Sequence, residues 1–598
     1  MEHTKRWKNP LTFSIIFWIG ILLLITFLMF STLWENNKYI MVHAFIHSDF
    51  MVHIPLIQSF YYGGNFHPIE YPLFVGEKIN YHYGFHIIAA YLERLGLPFS
   101  YAVNLLSILG FFLMVFFIYF FTKYISKDKI APYIAASLPF LDFSLTWYFY
   151  LLKHGSSWLI DLPKLKEYTC FGPWDGCMIS VFWNLNIYFN QRHLAFGFAL
   201  TFLLIYLVSL LFYKTQAIFL KLIIVLEGMG LLVALVYIHK GMLIVSLMFW
   251  GIYIGIRGLY LIFNWKNMER VKKREEILNI LLLSVGLIVS FLLVLLFLEL
   301  AYSQFTRPDG LKVIRIYWGF LYRSAKMLWP LKVPNIAKWF IYMLFNLGVL
   351  PFFAIIGFIL SLKNRLSKNE KILNISLFVL SWTVFIMANI VVFSIDVAIN
   401  HKFINFSILI WEIYTAYAFV KIFRRGFLGQ AVIVVILFFL IFNIFLDYVP
   451  IFNNTYMGWE KPNYNPISRW VLAHTRPEDK FLNVTYIVAP LDVAGRRIFF
   501  GWDYFAMSAG YDTYGRRREY YSFLDTYKKD PKRALYNLCR VMKKYNLKYL
   551  YFSGHDKFID RKIDQDDIAK TLLSGIKPLY HEGDTYIYSY EAICTKIK

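Results

Sequence analysis

Long apolar runs separated by short charged segments make up the chain as far as about residue 450. A helix needs about 20 apolar residues to cross the hydrocarbon core of a bilayer, and eleven runs come near that length. The predicted spans are residues 12–34, 100–122, 131–150, 192–213, 217–238, 241–263, 277–301, 337–362, 371–394, 403–420 and 428–448. The pattern predicts a polytopic α-helical membrane protein.

The charged segments between the runs indicate how the chain is oriented. Lysine and arginine concentrate before the first span and after the second, sixth, eighth and tenth spans, as in "KNMERVKKREE" and "KIFRRG". Positive residues favour the cytoplasmic side of short loops, so all these segments agree if the amino terminus is cytoplasmic. The first run lacks a small-residue cleavage site, and we expect it to be retained. The carboxyl-terminal region is then extracytoplasmic.

Two domains are expected from this pattern. Residues 1–449 form a transmembrane domain with a long first outer loop at 35–99 and a second outer loop at 151–191. Within the first loop, "YHYGFHIIAAYLERLG" predicts a helix that lies at the membrane interface. Residues 450–598 instead carry short strand and helix patterns, which predict an α/β domain.

Specific stretches define the elements of that tail. "DKFLNVTYIVA", "RRIFFGW", "LKYLYFSG" and "DTYIYSYEA" predict strands, and "PKRALYNLCRVMKKYN" predicts an amphipathic helix. In "AGRRIFFG" the glycine is expected at a tight turn and the arginines at a solvated strand end, with binding of an acceptor glycan as the alternative.

Composition supports the membrane assignment and limits the partners. The chain is 58% hydrophobic and 17% charged, with a mean hydropathy of +0.50. Its net charge of +23 is explained by the cytoplasmic cations and by contact with anionic lipid headgroups. No basic cluster carries a nucleic-acid motif, so we expect membrane lipids as partners and no nucleic acid.

The four cysteines all fall in segments expected outside. Cys170 and Cys177 lie in the second outer loop, and Cys539 and Cys594 lie in the tail. Disulfides persist in that compartment, so two local bridges are expected, with buried free thiols as the alternative.

The first outer loop gathers polar residues that a membrane surface does not require. Asp49 and His53 are four residues apart, which places them on one face of a helix. A partly desolvated carboxylate beside an imidazole can act as a general base. The alternative is an aspartate that caps a helix or binds water. Glu70, Tyr81 and His82 are further candidates in this loop for contact with a substrate.

The loop histidines raise the question of a cofactor. His82 and His86 repeat the spacing of Asp49 and His53, and such pairs can ligate a divalent metal. Each histidine can equally hydrogen-bond a backbone carbonyl or a lipid headgroup. We therefore assign no cofactor and no metal ligand, and keep a divalent metal as the alternative.

A second set of polar residues lies at the outer ends of three later spans. Lysine and arginine at these ends oppose the charge bias of outer loops, although some are expected to be simple interfacial anchors. A cluster of such cations suits a phosphate or diphosphate. The candidate substrate-binding residues are Gln191, Arg192, His193, His239, Lys240, Asn400, His401 and Lys402. Arg192, Lys240 and Lys402 are expected to share one outer cavity near the first loop.

The chain resembles the GT-C class of integral-membrane glycosyltransferases. "SDFMVHIPLIQSFYYGGNFHP", "GEKINYHYGFH", "NQRH" and "NHKF" are similar to poorly characterised prokaryotic membrane proteins related to that class. The tail stretches "ISRWVLAHTRPEDKFL" and "MKKYNLKYLYFSG" are similar to their outer domain. The resemblance implies a GT-C-like fold of about 11 transmembrane helices with a C-terminal extracytoplasmic α/β domain.

The same resemblance implies a function. It places Asp49 at the first-loop acid of the class, which acts as a base or orients the acceptor. The second acid found in several families is replaced here by Phe50. The expected activity is an inverting-type transfer of a sugar from a polyprenyl-phosphate donor to an extracytoplasmic glycan, lipid or protein acceptor. The alternatives are a non-catalytic protein that binds lipid-linked glycans in envelope assembly, and a lipid or glycan transporter.

Overall fold

The computed structural model describes residues 10–66, 69–172, 177–183, 185–212, 217–298, 314–319, 321–393, 397–483, 490–553, 557–558, 561–562 and 565–595. The chain forms two compact units. The helical unit comprises Met1–Thr32, Asn104–Ala301 and Ile314–Thr455. The described part of the sheet unit comes from residues 33–103 and 456–595. Residues 33–103, expected as a loop of the transmembrane domain, thus belong to the same unit as the tail.

Apolar helices account for most of the helical unit. Among the described residues, eight helices are long and apolar enough to cross a membrane, or nine if one bent pair is a single span. The chain is an integral membrane protein. The major helices are Pro10–Thr32, Phe99–Ser126, Leu194–Leu210, Ile218–Ile238, Lys240–Asn264, Arg270–Leu298, Asn335–Leu347, Leu350–Leu362, Lys368–Ile390, Val397–Phe423 and Phe427–Asn453.

One predicted span is wrong. Residues 131–150 divide into the helix Ala131–Ser137, a 3-10 turn at Leu138–Phe140 and the helix Thr146–His154. Pro139 removes a backbone donor inside this run. Beyond it, the Asp142 carboxylate accepts from the backbone N–H of Ser144 at 2.8 Å, so a side chain replaces the helical partner.

A second predicted span, 337–362, is bent. Its halves, Asn335–Leu347 and Leu350–Leu362, meet at 80°. Gly348 lies between them with φ of 50°, and a Cβ there would lie 2.1 Å from the carbonyl oxygen of Phe143. Only glycine tolerates both the left-handed backbone and this close approach.

The helix Val397–Phe423 is the most enclosed of these elements. Residues 400–420 are all buried, and the helix packs on Leu350–Leu362 and Lys368–Ile390. Short elements complete the described part of the helical unit. They are the helices Trp158–Asp161 and Asn186–Asn190, and the paired strands Arg315–Ile316 and Val391–Val392.

A five-stranded mixed sheet organises the tail. Its spatial order is Tyr580–Glu582, Thr585–Ser589, Tyr549–Ser553, Lys480–Asn483 and Arg497–Ile498. The first two junctions are antiparallel and the last two are parallel. All four predicted strands and the predicted helix, Pro531–Lys544, are confirmed within the described residues.

Further elements of the sheet unit come from both the loop and the tail. In a three-stranded sheet the central strand Tyr39–His43 pairs with Leu33–Glu35 on one side and with Tyr456–Glu460 on the other, and Lys557–Phe558 pairs with Arg561–Lys562. The helices are His47–Tyr61, Gly84–Arg94, Pro466–His474, Pro490–Val493, Asp503–Ser508, Thr513–Leu524, Gln565–Leu572 and Tyr590–Cys594. The helix predicted near 81–96 is therefore present.

The loop and the tail share one hydrophobic core. Leu56 and Phe74 of the loop belong to the same buried cluster as Phe481 and Leu550 of the tail sheet. At roughly 1.5 to 3 kcal/mol for each large apolar side chain removed from water, this shared burial makes the loop part of a folded body.

The predictions for the glycine, the arginines and the cysteines have different outcomes. Gly495 has φ of 71° and forms the expected tight turn. The arginines that follow are not at a solvated strand end: Arg496 is 2% exposed, Arg497 is 5% exposed, and Arg496 donates to the backbone carbonyl of Thr475 at 3.1 Å. Both expected disulfides, Cys170–Cys177 and Cys539–Cys594, are confirmed.

Candidate functional site

The helix His47–Tyr61 positions the proposed base. Asp49 lies in its first turn and is partly exposed, whereas His53, one turn later, is buried. A carboxylate in a first turn is favoured by the positive end of the helix dipole. The predicted helical arrangement of Asp49 and His53 is confirmed.

A second histidine from the neighbouring helix completes a buried pair. His53 Nδ1 lies 2.8 Å from Nε2 of His86, and the two rings stack with centroids 5.0 Å apart. Burial, and then the neighbouring imidazole of His53, hold the pKa of His86 well below its ordinary value. A neutral imidazole pair can share one hydrogen and pass a proton from one ring to the other.

Tyr81 and His82 lie beside this pair. Their rings stack with centroids 4.1 Å apart, and the centroid of the Tyr81 ring also lies 5.8 Å from that of His86. Burial, and then the negative charge of Asp49, raise the pKa of the Tyr81 phenol, which places the Asp49 carboxylate near that phenol. We call Asp49, His53, Tyr81, His82 and His86 the first-loop cluster.

Glu70 has a different environment in the same unit. Its carboxylate is paired with Lys480 at 2.7 Å and with Arg497 at 3.4 Å, and the residue is 8% exposed. Asn65 holds its backbone, accepting from the Glu70 N–H at 3.0 Å and donating to its carbonyl at 2.8 Å. These contacts make Glu70 an internal tie between loop and tail, and its role in substrate binding stays a prediction.

In the helical unit, the remaining candidates lie at or near three helix starts. His193 immediately precedes Leu194–Leu210 and makes no side-chain capping bond, whereas the His239 ring caps Lys240–Asn264 by accepting from the Met242 N–H at 3.2 Å. Lys402 lies in the second turn of Val397–Phe423. Helix N-termini carry a partial positive charge of about half a unit and attract anions.

Three of these candidates lie together. The rings of His193 and His239 are 5.5 Å apart, and Lys402 is close enough to His239 to interact electrostatically with it. Gly197 permits the approach, because a Cβ there would lie 2.9 Å from that of His239. Lys240 is partly exposed at the start of its own helix, where a cation is disfavoured by the helix dipole. We call His193, His239 and Lys402, with the adjoining Lys240, the cation cluster, and the approach of the Lys240 side chain to the other three stays a prediction.

The Arg192 side chain is hydrogen-bonded to groups of the helical unit. Its guanidinium donates to the Phe189 carbonyl at 2.9 Å, to Asn104 Oδ1 at 3.1 Å and to Thr32 Oγ1 at 2.6 Å. The side chain is 1% exposed. These bonds tie the first and second spans to the start of the fourth, and phosphate binding by Arg192 stays a prediction.

The other predicted residues are also enclosed in the helical unit. Asn400 donates to the carbonyls of Ala388 and Val391, each at 2.7 Å. His401 is fully buried with its ring 4.7 Å from that of Trp183. Gln191 is 8% exposed. Their predicted contact with substrate is untested.

His86 is absent from the catalytic and substrate-binding residues predicted from the sequence. The residue lies 33 positions from its partner His53, and no local spacing links them. The repeat of the four-residue spacing at His82 and His86 was the available signal, because it marks a second helix face with imidazoles.

Comparison with known proteins gives similarity in structure alone. No family model and no curated protein matches the sequence. The Archaeoglobus fulgidus oligosaccharyltransferase, solved with zinc and sulfate, matches with a TM-score of 0.45 and 13% identity over 89% of this chain and 67% of that one. ArnT from Cupriavidus metallidurans, solved with undecaprenyl phosphate, matches with a TM-score of 0.44 and 10% identity over 97% of this chain and 98% of that one.

With TM-scores below 0.5 and identities of 13% or less, these similarities assign no reaction, donor or acceptor to this chain.

Proposed function

We propose that this protein is a membrane glycosyltransferase that moves a sugar from a polyprenyl-phosphate donor to an extracytoplasmic acceptor. The observation that supports it most is the cation cluster, in which His193 and His239 from two helix starts lie with Lys402 from the second turn of a third helix. An anion with the charge of a phosphate would offset both the helix dipoles and the lysines.

The cation cluster would act on the donor. In transfer, the bond between the anomeric carbon and the phosphate oxygen breaks, and the phosphate leaves with the electron pair. Lys240 and Lys402 would stabilise the negative charge that develops on this oxygen, which is the usual contribution of cations at such a centre.

The first-loop cluster would act on the acceptor. The acceptor nucleophile forms the new bond on the opposite face of the sugar, inverting the anomeric centre, and Asp49 takes the proton that the nucleophile loses. His53 and His86 would hold the hydrogen-bond network around the carboxylate. Tyr81 would orient the acceptor with its phenol.

A metal is not required for this scheme, although the cluster offers suitable ligand types. Imidazole nitrogens and a carboxylate are accepted by zinc and manganese. Among the described residues, the Asp49 carboxylate belongs to no group of three ligand atoms close enough together to hold one ion, so we assign no metal set to this cluster. We assign the proton transfer to Asp49 itself.

The orientation is also a proposal. An extracytoplasmic tail is supported by the Cys539–Cys594 disulfide, and an outer second loop by Cys170–Cys177, because disulfides persist in oxidising compartments. Maleimide labelling in intact cells of single cysteines placed at exposed positions tests it. We expect Tyr536→Cys to react from outside, whereas Lys272→Cys reacts only after the membrane is opened.

The experiment for the function uses the purified protein in nanodiscs with radiolabelled polyprenyl-phosphate hexose and a membrane extract that supplies acceptors. We expect consumption of the donor and release of polyprenyl phosphate in step with labelled product. Tight donor binding without consumption would contradict the proposal and favour a non-catalytic binding protein. Movement of the intact lipid-linked sugar across the bilayer, again without consumption, would favour a transporter.

A further inference from the structure

The helical unit contains a polar cavity away from the cation cluster. It leaves about 20 Å³ for the centres of water molecules, which is enough for one water. Polar groups contributed by Tyr188, Asn346, Asn405 and Glu412 line it, together with apolar side chains.

Broken helices form part of the wall. Leu347 and Leu350 line the cavity where the helix pair bends by 80°, and Leu141 and Phe143 line it from the irregular stretch after the 3-10 turn. Inside a membrane, irregular backbone is stable only where it is buried in protein or borders a polar cavity. The two interrupted segments therefore mark this cavity as a built feature of the fold.

Glu412 lies at the middle of the enclosed helix Val397–Phe423. It is 2% exposed, and among the described residues its Oε2 has no hydrogen-bond partner. An ionised carboxylate in this position would cost several kcal/mol, because the cavity lining contains no lysine, arginine or histidine to balance it.

The neighbouring polar groups suit a neutral acid. Asn405 donates its amide hydrogens to the carbonyls of Phe182 and His401, which leaves its Oδ1 as an acceptor. Tyr188 lies close enough to Glu412 for an electrostatic interaction. Two further wall residues carry polar groups: Asn346 is committed to backbone groups of Ser180, Met178 and Tyr342, and Trp183 contributes an indole N–H.

We propose that Glu412 is the proton-binding group of an intramembrane site that takes one proton and one water. The acid O–H donates to the water or to Asn405, and the water also accepts from the Tyr188 hydroxyl. Hard divalent cations take six or more oxygen ligands, whereas this wall offers the oxygens of three uncommitted side chains. The proton site at Glu412 is independent of the proposed sugar transfer. Neither proposal depends on the other.

Infrared difference spectroscopy of the whole protein in nanodiscs tests this site. At neutral pH we expect carbonyl absorption of protonated carboxylic acids that shifts in D₂O. In E412Q this absorption should lose one component, while the component of the buried Glu93 remains. The control is E370Q, because the Glu370 carboxylate is paired with Lys127 and contributes no acid band. An identical acid band in wild type and E412Q would overturn the proposal.

A second measurement needs no variant and covers failure of E412Q to fold. An apolar carbodiimide adds the O–H of a carboxylic acid across its C=N bond, with the proton passing to nitrogen, and the adduct rearranges to a stable N-acylurea. We expect mass spectrometry to find this adduct on Glu412 in the wild-type protein, unchanged by added sodium. Absence of the adduct, or protection by sodium at constant pH, would overturn proton binding.

Discussion

The Glu70 and Asp49 regions belong to the same unit and start from the same stretch of chain, yet their surroundings differ. The Glu70 carboxylate is neutralised by Lys480 and Arg497. Asp49 lies near a phenol and a stacked imidazole pair. A carboxylate held by two cations is a poor proton acceptor, whereas one among neutral groups that carry protons suits general base catalysis.

Position in the loop therefore does not decide which acid is the better candidate for a base. Both residues precede the helix Gly84–Arg94, and both were candidates by sequence. What separates them is the charge of their neighbours, which comes from the tail for Glu70 and from the loop itself for Asp49.

The largest effect is expected on turnover. Replacing Asp49 by Asn keeps its size but removes proton acceptance, so turnover should fall by about 10² or more. Asp530, which caps the helix Pro531–Lys544 in the same unit, gives the matched control. We expect D530N to transfer sugar at a rate near wild type. Equal losses in both variants would remove the distinction of Asp49.

Lys402 tests the donor half of the proposal. Loss of one charge-assisted contact costs about 1.5 to 3 kcal/mol, so K402M should weaken polyprenyl-phosphate binding by roughly 10- to 150-fold. Lys421, near the other end of the same helix, is the control, and K421M should bind normally. Scintillation proximity binding in nanodiscs measures both. Unchanged affinity of K402M would exclude Lys402 from phosphate binding.

Glu70 should affect stability instead of chemistry. Removing one partner of a buried ion pair leaves uncompensated charge, and E70Q should lower the free energy of unfolding by roughly 3 kcal/mol. Glu77 is exposed and lies seven residues away, so E77Q should change it by less than about 0.5 kcal/mol. Thermal unfolding in detergent compares them. A stable E70Q that has lost turnover would reverse the roles of the two regions.

The smallest expected effect is on the pH dependence of stability, and it concerns a third acid of the loop, Glu93. Glu93 accepts two bonds from the Gln58 amide at 3.2 Å, and burial raises its pKa to about 8. The folded protein therefore keeps this proton between pH 4.5 and 8, where the unfolded chain has lost it. Stability should fall as pH rises through that window, and E93Q should flatten the decline. A steeper decline in E93Q would contradict the neutral acid.

Much of the fold could be predicted from the sequence. Hydrophobic periodicity located most spans, the tail strands and the helix Pro531–Lys544, since these patterns reflect local burial. The exceptions have local causes that a hydropathy count ignores. Pro139 and Asp142 interrupt one span, and Gly348 bends another at a close contact with Phe143.

The candidate site could be predicted only in part. The i, i+4 spacing of Asp49 and His53 is local and was readable. The pairing of His53 with His86, and of Glu70 with Lys480 and Arg497, joins positions 33 to 427 residues apart. Such contacts depend on the tertiary fold, and no single-sequence pattern encodes them.

The proposed proton acceptance by Asp49 is tested most directly by single-turnover transfer with donor already bound. Wild type and D49N are saturated with labelled polyprenyl-phosphate hexose, acceptor is added, and product formation is followed beside the donor dissociation constant. We expect D49N to bind donor as wild type does and to form product at least about 100-fold more slowly. Product formation at the wild-type rate would contradict the assignment of Asp49 as the base.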